Sequence, residues 1–518
     1  MIRSGPAPPS AKISSDTFTY AAYAFVAAAS ASASLAKTGA PLAFGVREAD
    51  GVVGTQPLSI KATARVATKI RGMIRIATDG RAPGAHPARS FHKRCPPRAD
   101  LALGRSYGGI EANPRPRRRS LELSGAWQSA ARGAMLLGGD GALKPTIFAE
   151  MSALAMSTGA INLGQGFPDE DGSPEVLEAA RQAISDGWNQ YPPGLGFPVL
   201  REAISAHQHR FYGLSVDPDR EVIVTAGATE ALAASILALV EPGDEVVTFE
   251  PFYDSYAAMI ALSGAVHRTV PLRAPHFQPD HDELRRAVTD RTRIILINDP
   301  HNPTGAMMDR PTLELVVELA NRHDALIVTD EVYEHLTFGQ PHIPIATLPG
   351  ASDRTVTISS AGKTFSTTGW KVGWMTGPHD LLQAVLAVKQ FLTYVNAAPF
   401  QPAIAVGLGL PEEFFRGVAS VLQRKRDLLS AGLTRAGFSV SESQGSYFVV
   451  ADAAPLGFTD AADLCRSLPT LAGVVAVPIS AFVTDEHKSD YASLVRFAFC
   501  KRVDVLERAS AQLARLSR

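Results

Sequence analysis

Seven short runs of apolar, largely β-branched residues lie at 222–226, 245–249, 266–271, 293–298, 325–329, 355–358 and 371–376 of this chain. Most are separated by stretches with helical periodicity, such as 230–240 and 312–323. Runs that are apolar throughout suit strands covered by helices on both faces. The pattern predicts an α/β fold whose large domain is a doubly wound, mainly parallel seven-stranded sheet. A helical stretch at 412–436, with short strands at 446–450 and 493–499, predicts a smaller α+β domain in the last hundred or so residues.

The most informative motif follows the sixth run. Ser359 and Ser360 precede Lys363 in a small-residue loop, and Lys371 follows eight residues later, before Gly373. A lone loop lysine ordinarily carries only charge. Here the first amine can form a Schiff base, while hydroxyls and a second ammonium hold a phosphate. That equipment suits pyridoxal 5′-phosphate.

Partners for such a cofactor stand upstream. Asp330 ends an apolar strand, with Tyr333 three residues beyond; a carboxylate can keep the pyridine nitrogen protonated, and a phenol can donate to O3′. Asn302, in the turn Asp299-Pro300-His301-Asn302-Pro303, offers a second donor to O3′, and its bond to Pro303 is a candidate for cis geometry. The strand 222–226 runs through Gly227, Ala228 and Thr229 into a helix start, where free amides favour an anion. Taken singly, each segment also reads as an ordinary strand end, turn or capped helix.

Together these segments resemble the class I aminotransferases, the fold-type I pyridoxal-phosphate enzymes, over roughly residues 146–513. The resemblance implies Lys363 as the Schiff-base lysine, Asp330 as the partner of the ring nitrogen, and Tyr333 and Asn302 as the O3′ ligands. It implies Gly227, Ala228, Thr229, Ser360 and Lys371 around the phosphate, with Lys371 where the family often has arginine, and Tyr253 stacked on the ring. Arg496, in an alternating apolar strand, would clamp the substrate α-carboxylate with the Gly166 amide, and Asn302 would also touch substrate. Tyr191 would reach the phosphate of a neighbouring subunit, which makes the active unit a homodimer. The implied reaction is ping-pong transfer of an amino group from an amino acid to a 2-oxo acid such as 2-oxoglutarate, with Lys363 moving the proton. The segments 164–172 and 189–194 are most similar to actinobacterial N-succinyldiaminopimelate aminotransferases of lysine biosynthesis. Kynurenine, glutamine and methionine aminotransferases share much of that text, and a pyridoxal-phosphate β-lyase would share the cofactor ligands.

The first 140 residues differ from the rest. They carry 20 Lys/Arg against 8 Asp/Glu, while the remainder carries 30 against 43. Rich in Ala, Ser, Gly, Pro and Arg and without long apolar periodicity, they suit a disordered or adventitious extension, with Met135 or Met151 as alternative starts. An apolar run at 20–29 faintly resembles a signal-peptide core, and the Arg-rich composition also suits a transit peptide. The basic charge raises a DNA-binding arm, as in a regulator fused to an aminotransferase-like domain, but no helix-turn-helix pattern supports nucleic-acid binding. No segment reaches the ~18 apolar residues of a membrane span, and Cys95, Cys465 and Cys500 show no metal or disulfide spacing. The expected organisation is an extension at 1–140, a segment at 141–169 packing with the small domain, a cofactor domain at 170–400 and a small domain at 401–518. The expected compartment is the cytoplasm.

Overall fold

The computed structural model describes residues 125–517. The expectations for the run at 20–29, the arginine run before residue 120 and Cys95 lie outside the described residues. Thirteen strands are described: β1 (Ile161–Asn162), β2 (Val222–Thr225), β3 (Glu245–Glu250), β4 (Val266–Pro271), β5 (Thr292–Asn298), β6 (Leu326–Asp330), β7 (Thr355–Ser360), β8 (Gly373–Thr376), β9 (Ser439–Val440), β10 (Phe448–Asp452), β11 (Val474–Val475), β12 (Val477–Pro478) and β13 (Leu494–Ala498).

The seven expected runs form one sheet, in the order β2-β8-β7-β6-β5-β3-β4. Only β8 runs antiparallel to its neighbours. Side chains alternate between its faces, as the two-residue period requires. Ile294, Leu296 and Val328 join Leu232, Ile236, Ile260 and Leu382 of the helices Gly227–Leu239, Asp254–Ser263 and His379–Lys389. Ile295, Ile297 and Ile327 join Leu313, Val316 and Leu319 of the helix Arg310–Arg322 on the opposite face. Burial on both sides explains the unbroken apolar runs. The edge strand β4 departs from them, with Val266 and Arg268 exposed. Its Arg268 turns back to Glu245 at 2.8 Å, a charged edge that discourages further pairing.

The smaller unit is a four-stranded antiparallel sheet, β12-β13-β10-β9, packed against the helices Glu412–Arg435, Ala461–Ala472 and Val503–Leu513. β1 pairs with β11, and Ala498 N donates to Leu163 O at 2.7 Å, so the segment before residue 164 is stitched to this unit.

Several boundaries differ from expectation. β10 begins two residues late, because Ser446 takes φ 61°, outside strand geometry. β8 begins at Gly373 for the same reason, Lys371 having φ 54°. The helix Phe400–Leu408 and Phe415 pack with Val176, Leu200, Val224 and Trp374 against the large sheet, although 401 was the expected start of the small domain. Residues 125–140, grouped by composition with the extension, hold the helix Ala126–Gly133. Its Gly133 leaves no room for a Cβ, which would lie 2.4 Å from Ala257 O.

Candidate active site

The carboxyl ends of β5, β6 and β7 lie side by side, Asn298 opposite Asp330 and Asp330 opposite Ile358. Ligands of open α/β sheets bind at such ends. Here they open on a cavity of about 340 Å³, which also reaches the helix start after β2 and the strands of the smaller sheet.

One end of the cavity is built for an anion. The helix Gly227–Leu239 starts without a hydroxyl cap, and its first amides have no intrahelical acceptors. Glu230 turns back to take Ala226 N at 2.6 Å. Lys371 Nζ lies 3.4 Å from Thr229 Oγ1. Its left-handed backbone costs about 1–2 kcal/mol, and Asn396 Nδ2 holds it by donating to Lys371 O at 2.7 Å. Two glycines permit the approach: a Cβ on Gly227 would meet Lys371 Nζ at 3.1 Å, and one on Gly373 would meet the Gly227 carbonyl carbon at 2.6 Å. Ser360, the last residue of β7, lines the same end.

The middle of the cavity holds a carboxylate and an amine. Asp330 is buried, and burial raises its pKa to about 6 although Tyr256 OH donates to Oδ2 at 2.6 Å. Lys363 lies in the single turn Ala361–Thr364. Burial lowers its pKa to about 8, so a neutral amine is within easy reach of physiological pH. Its Nζ is 5.8 Å from the centroid of the Tyr333 ring and 5.6 Å from that of Tyr447. Tyr253 also lines the cavity, its ring edge-to-face with Tyr256 at 5.7 Å.

The third part belongs to Arg496 of β13, 1% exposed. Its Nη1 donates to Asn302 Oδ1 at 3.0 Å and its Nη2 to Gly164 O at 2.7 Å, while Nε has no partner. The guanidinium lies 4.1 Å from the Phe448 ring centroid. Burial lowers its pKa to about 10, which still leaves it charged at neutral pH. Among the described residues no carboxylate lies within ion-pair distance of it, and Asp254 acts on it only from further away. A charged fork buried in this way calls for an incoming carboxylate. The bond to Arg496 identifies the Asn302 oxygen, which leaves its amide nitrogen free to donate. The Asn302–Pro303 bond is cis, as the turn sequence allowed.

Lys363, Asp330, Tyr333, Asn302, Gly227, Ala228, Thr229, Tyr253, Ser360, Lys371, Gly166 and Arg496 therefore line one cavity. Tyr191 does not. It is 82% exposed and packs edge-to-face on Tyr394 at 5.8 Å, at the surface. Sequence reasoning missed Tyr256 and Asn298, whose side chains bind Asp330 Oδ2 and Asp330 O, and the wall formed by Phe148, Gln165 and Phe448. Tyr256 had a weak signal, one helical turn after Tyr253; Asn298 had none beyond its place at a strand end.

These groups match a phosphorylated pyridine aldehyde part by part: an anion cradle, an acid for a ring nitrogen, phenol and amide donors, an aromatic wall and an amine. Residues 158–511 match the family model described as aminotransferase class I and II. The chain belongs to this family. Its cofactor is pyridoxal 5′-phosphate and its reaction is amino-group transfer, as in other class I and II aminotransferases. A probable N-succinyldiaminopimelate aminotransferase of Mycobacterium tuberculosis is 50% identical over 381 residues, 72% of this chain and 96% of that protein. The methionine aminotransferase of Escherichia coli is 38% identical over 377 residues, covering 72% and 96%. The solved structure of the M. tuberculosis N-succinyldiaminopimelate aminotransferase superposes with a TM-score of 0.70 at 51% identity, covering 72% of this chain and 97% of that one. Among the described residues no helix is long and apolar enough to cross a membrane.

Proposed function

We propose that this aminotransferase moves the amino group of N-succinyldiaminopimelate to 2-oxoglutarate, with Lys363 as the residue that binds the cofactor and shuttles the proton. The cofactor, when bound, supplies the electron sink that stabilises the carbanion at the substrate Cα. The chain supplies everything else. The amides of 227–229, Ser360 and Lys371 hold the phosphate, and Asp330 keeps a proton on the ring nitrogen. Tyr333 and the Asn302 amide donate to O3′, while Tyr253 covers the ring. The Lys363 amine, once neutral, would accept the proton from the substrate Cα and deliver it to C4′ of the cofactor. Arg496 and the Gly166 amide fix the α-carboxylate, so that the Cα–H bond faces the lysine. The observation that carries this reading is Arg496, a buried cation without a carboxylate partner among the described residues, in one cavity with Lys363 and Asp330.

Arg496→Ala is expected to raise KM for every amino donor by about 100-fold or more, since desolvated bidentate pairs are worth several kcal/mol. Steady-state kinetics with two unrelated donors checks this. A rise confined to one donor would move Arg496 from the shared α-carboxylate to a distal group.

The donor rests on similarity, 50% identity to the M. tuberculosis relative against 38% to the methionine enzyme. One observation favours a second reading, an enzyme for apolar donors such as methionine or kynurenine. The described lining holds aromatic Phe148 and Phe448, and its cations are Lys363, Lys371 and Arg496, all assigned above. A distal carboxylate would then need a cation from elsewhere. A donor panel of N-succinyldiaminopimelate, methionine, kynurenine and glutamine decides. A kcat/KM higher by orders of magnitude for methionine or kynurenine overturns the biosynthetic assignment and leaves the transaminase intact.

We read the active unit as a homodimer. Tyr191 and Tyr394, packed edge-to-face, are 82% and 48% accessible, and Phe391 is 83% accessible, as residues covered by a second copy would be. The cytoplasm suits Cys465 and Cys500, both free thiols.

A further inference from the structure

Beside Asp330 the fold buries a second group of charges that the reading above leaves without a role. Asp299, directly after β5, and Glu331, directly after β6, are both buried, and both face the buried ring of His342. His342 Nε2 lies 2.9 Å from Glu331 Oε2, and Nδ1 lies 3.3 Å from Asp299 Oδ2. The second contact is a charge approach and not a hydrogen bond, and neither Nδ1 nor Asp299 Oδ2 has a hydrogen-bond partner among the described residues. The remaining oxygens hold nearby chain: Asp299 Oδ1 accepts from Met308 N at 2.8 Å, and Glu331 Oε1 from Thr329 Oγ1 at 3.1 Å. Asp299 N donates to Asp330 O at 3.2 Å, and Glu331 N to Ile358 O at 2.8 Å. The residues flanking this bridge are those that line the cavity, Asn298 and Asn302 on one strand end, Asp330 and Tyr333 on the other.

We propose that His342 is a positioning residue of the active site: by bridging Asp299 and Glu331 it fastens the ends of β5 and β6 together and offsets negative charge next to Asp330. The proposal rests on the role given above to Asp330. Burial alone would strip the proton from His342, but Glu331 and Asp299 outweigh it and raise the pKa from 6.5 to about 10, so the ring is an imidazolium at neutral pH. The other groups around it offer no second cation of this kind. Glu334 accepts from Tyr212 OH at 2.7 Å and Ser359 Oγ at 2.6 Å. The Tyr212 ring stands edge-on to His342 at 6.0 Å. His335 is kept neutral by burial and faces His207, ring nitrogen to ring nitrogen, at 2.6 Å. Without His342 the charge of Glu331, which already raises the pKa of Asp330, stands uncompensated.

His342→Gln tests this, because the amide can bond one carboxylate yet carries no charge. In the holoenzyme kcat is expected to fall about tenfold or more, the scale of a small misplacement of reacting groups. KM for the donor should change by less than about threefold, since no substrate contact is lost. The pH midpoint at which the visible band of the bound cofactor titrates should rise, because added negative charge favours the protonated form. Pyridoxal phosphate titrated into the apoprotein should bind more weakly. If His342→Gln does not fold, His342→Asn carries the test, since the shorter amide is also uncharged and should move the midpoint upward in the same way. A folded His342→Gln enzyme with unchanged kcat and midpoint overturns the proposal, as does a lower melting temperature with both unchanged. A folded His342→Asn enzyme with an unchanged midpoint does the same. An active Asp330→Asn enzyme would instead overturn the site assignment beneath it, so the two failures are distinguishable.

Discussion

Lys363→Ala is expected to abolish turnover, a loss of at least ~10⁴-fold, because one amine both carries the cofactor and moves the proton. The purified holoenzyme should absorb at the visible edge, and borohydride should leave its pyridoxyl label on the peptide containing Lys363. Label on another lysine would overturn the assignment. The substitution has a second signature that does not depend on catalysis. A base whose pKa falls from 10.5 to about 8 on folding destabilises the apoprotein below that lower value. The cost is roughly 3 kcal/mol, and it fades as pH rises toward 10.5. The Lys363→Ala apoprotein should therefore melt no lower than the wild type at pH 7, and any advantage should shrink by pH 10. A catalytic loss accompanied by unfolding would instead make Lys363 a packing residue.

Asp330→Asn should lower kcat by about 100-fold or more, the usual cost of removing one fixed charge partner from a developing charge in a dry site. Burial raises the pKa of this carboxyl to about 6 in the cofactor-free protein, so near neutrality part of the population is protonated. A cation at the ring nitrogen would draw that proton off and hold the acid ionised, which couples cofactor binding to pH. Cofactor affinity measured between pH 5 and 8 should rise with pH in the wild type and rise less steeply in Asp330→Asn, where the Lys363 amine still titrates. The asparagine is isosteric and can keep the hydrogen bond from Tyr256, so the fold should survive. Near-normal catalysis by a stably folded Asp330→Asn enzyme would mean that another carboxylate serves the ring.

Most of the cavity was legible because its residues sit where local signals are strong. Asp330, Ser360 and Lys363 end or follow apolar runs, and Gly227 marks a strand-to-helix turn; both signals span only a few residues. The pairing of Tyr256 was not legible, since its partner Asp330 lies 74 positions away and its place one helical turn after Tyr253 is only a weak signal. His342 and Glu331 escaped for a related reason. A histidine in a loop and an acid after a strand look solvated until both are seen to be buried. Lys371 shows the remaining limit. Its left-handed backbone is set by the helix start and glycines packed around it, whereas the sequence predicted that it would begin a strand.

By itself the sequence determined the seven strands of the large sheet and the longer helices between them, since the two-residue and helical periods are written into consecutive positions. It also placed chemistry-bearing residues at the strand ends. Only the tertiary structure decided the strand order β2-β8-β7-β6-β5-β3-β4 and thereby which ends share a cavity. It put Arg496 of the small sheet against Asn302, 194 residues earlier, and moved the stretch around 400–415 onto the large sheet. The reason is physical. Local patterning is a property of neighbours along the chain, whereas strand order and buried charge pairs depend on how all the apolar faces are covered at once.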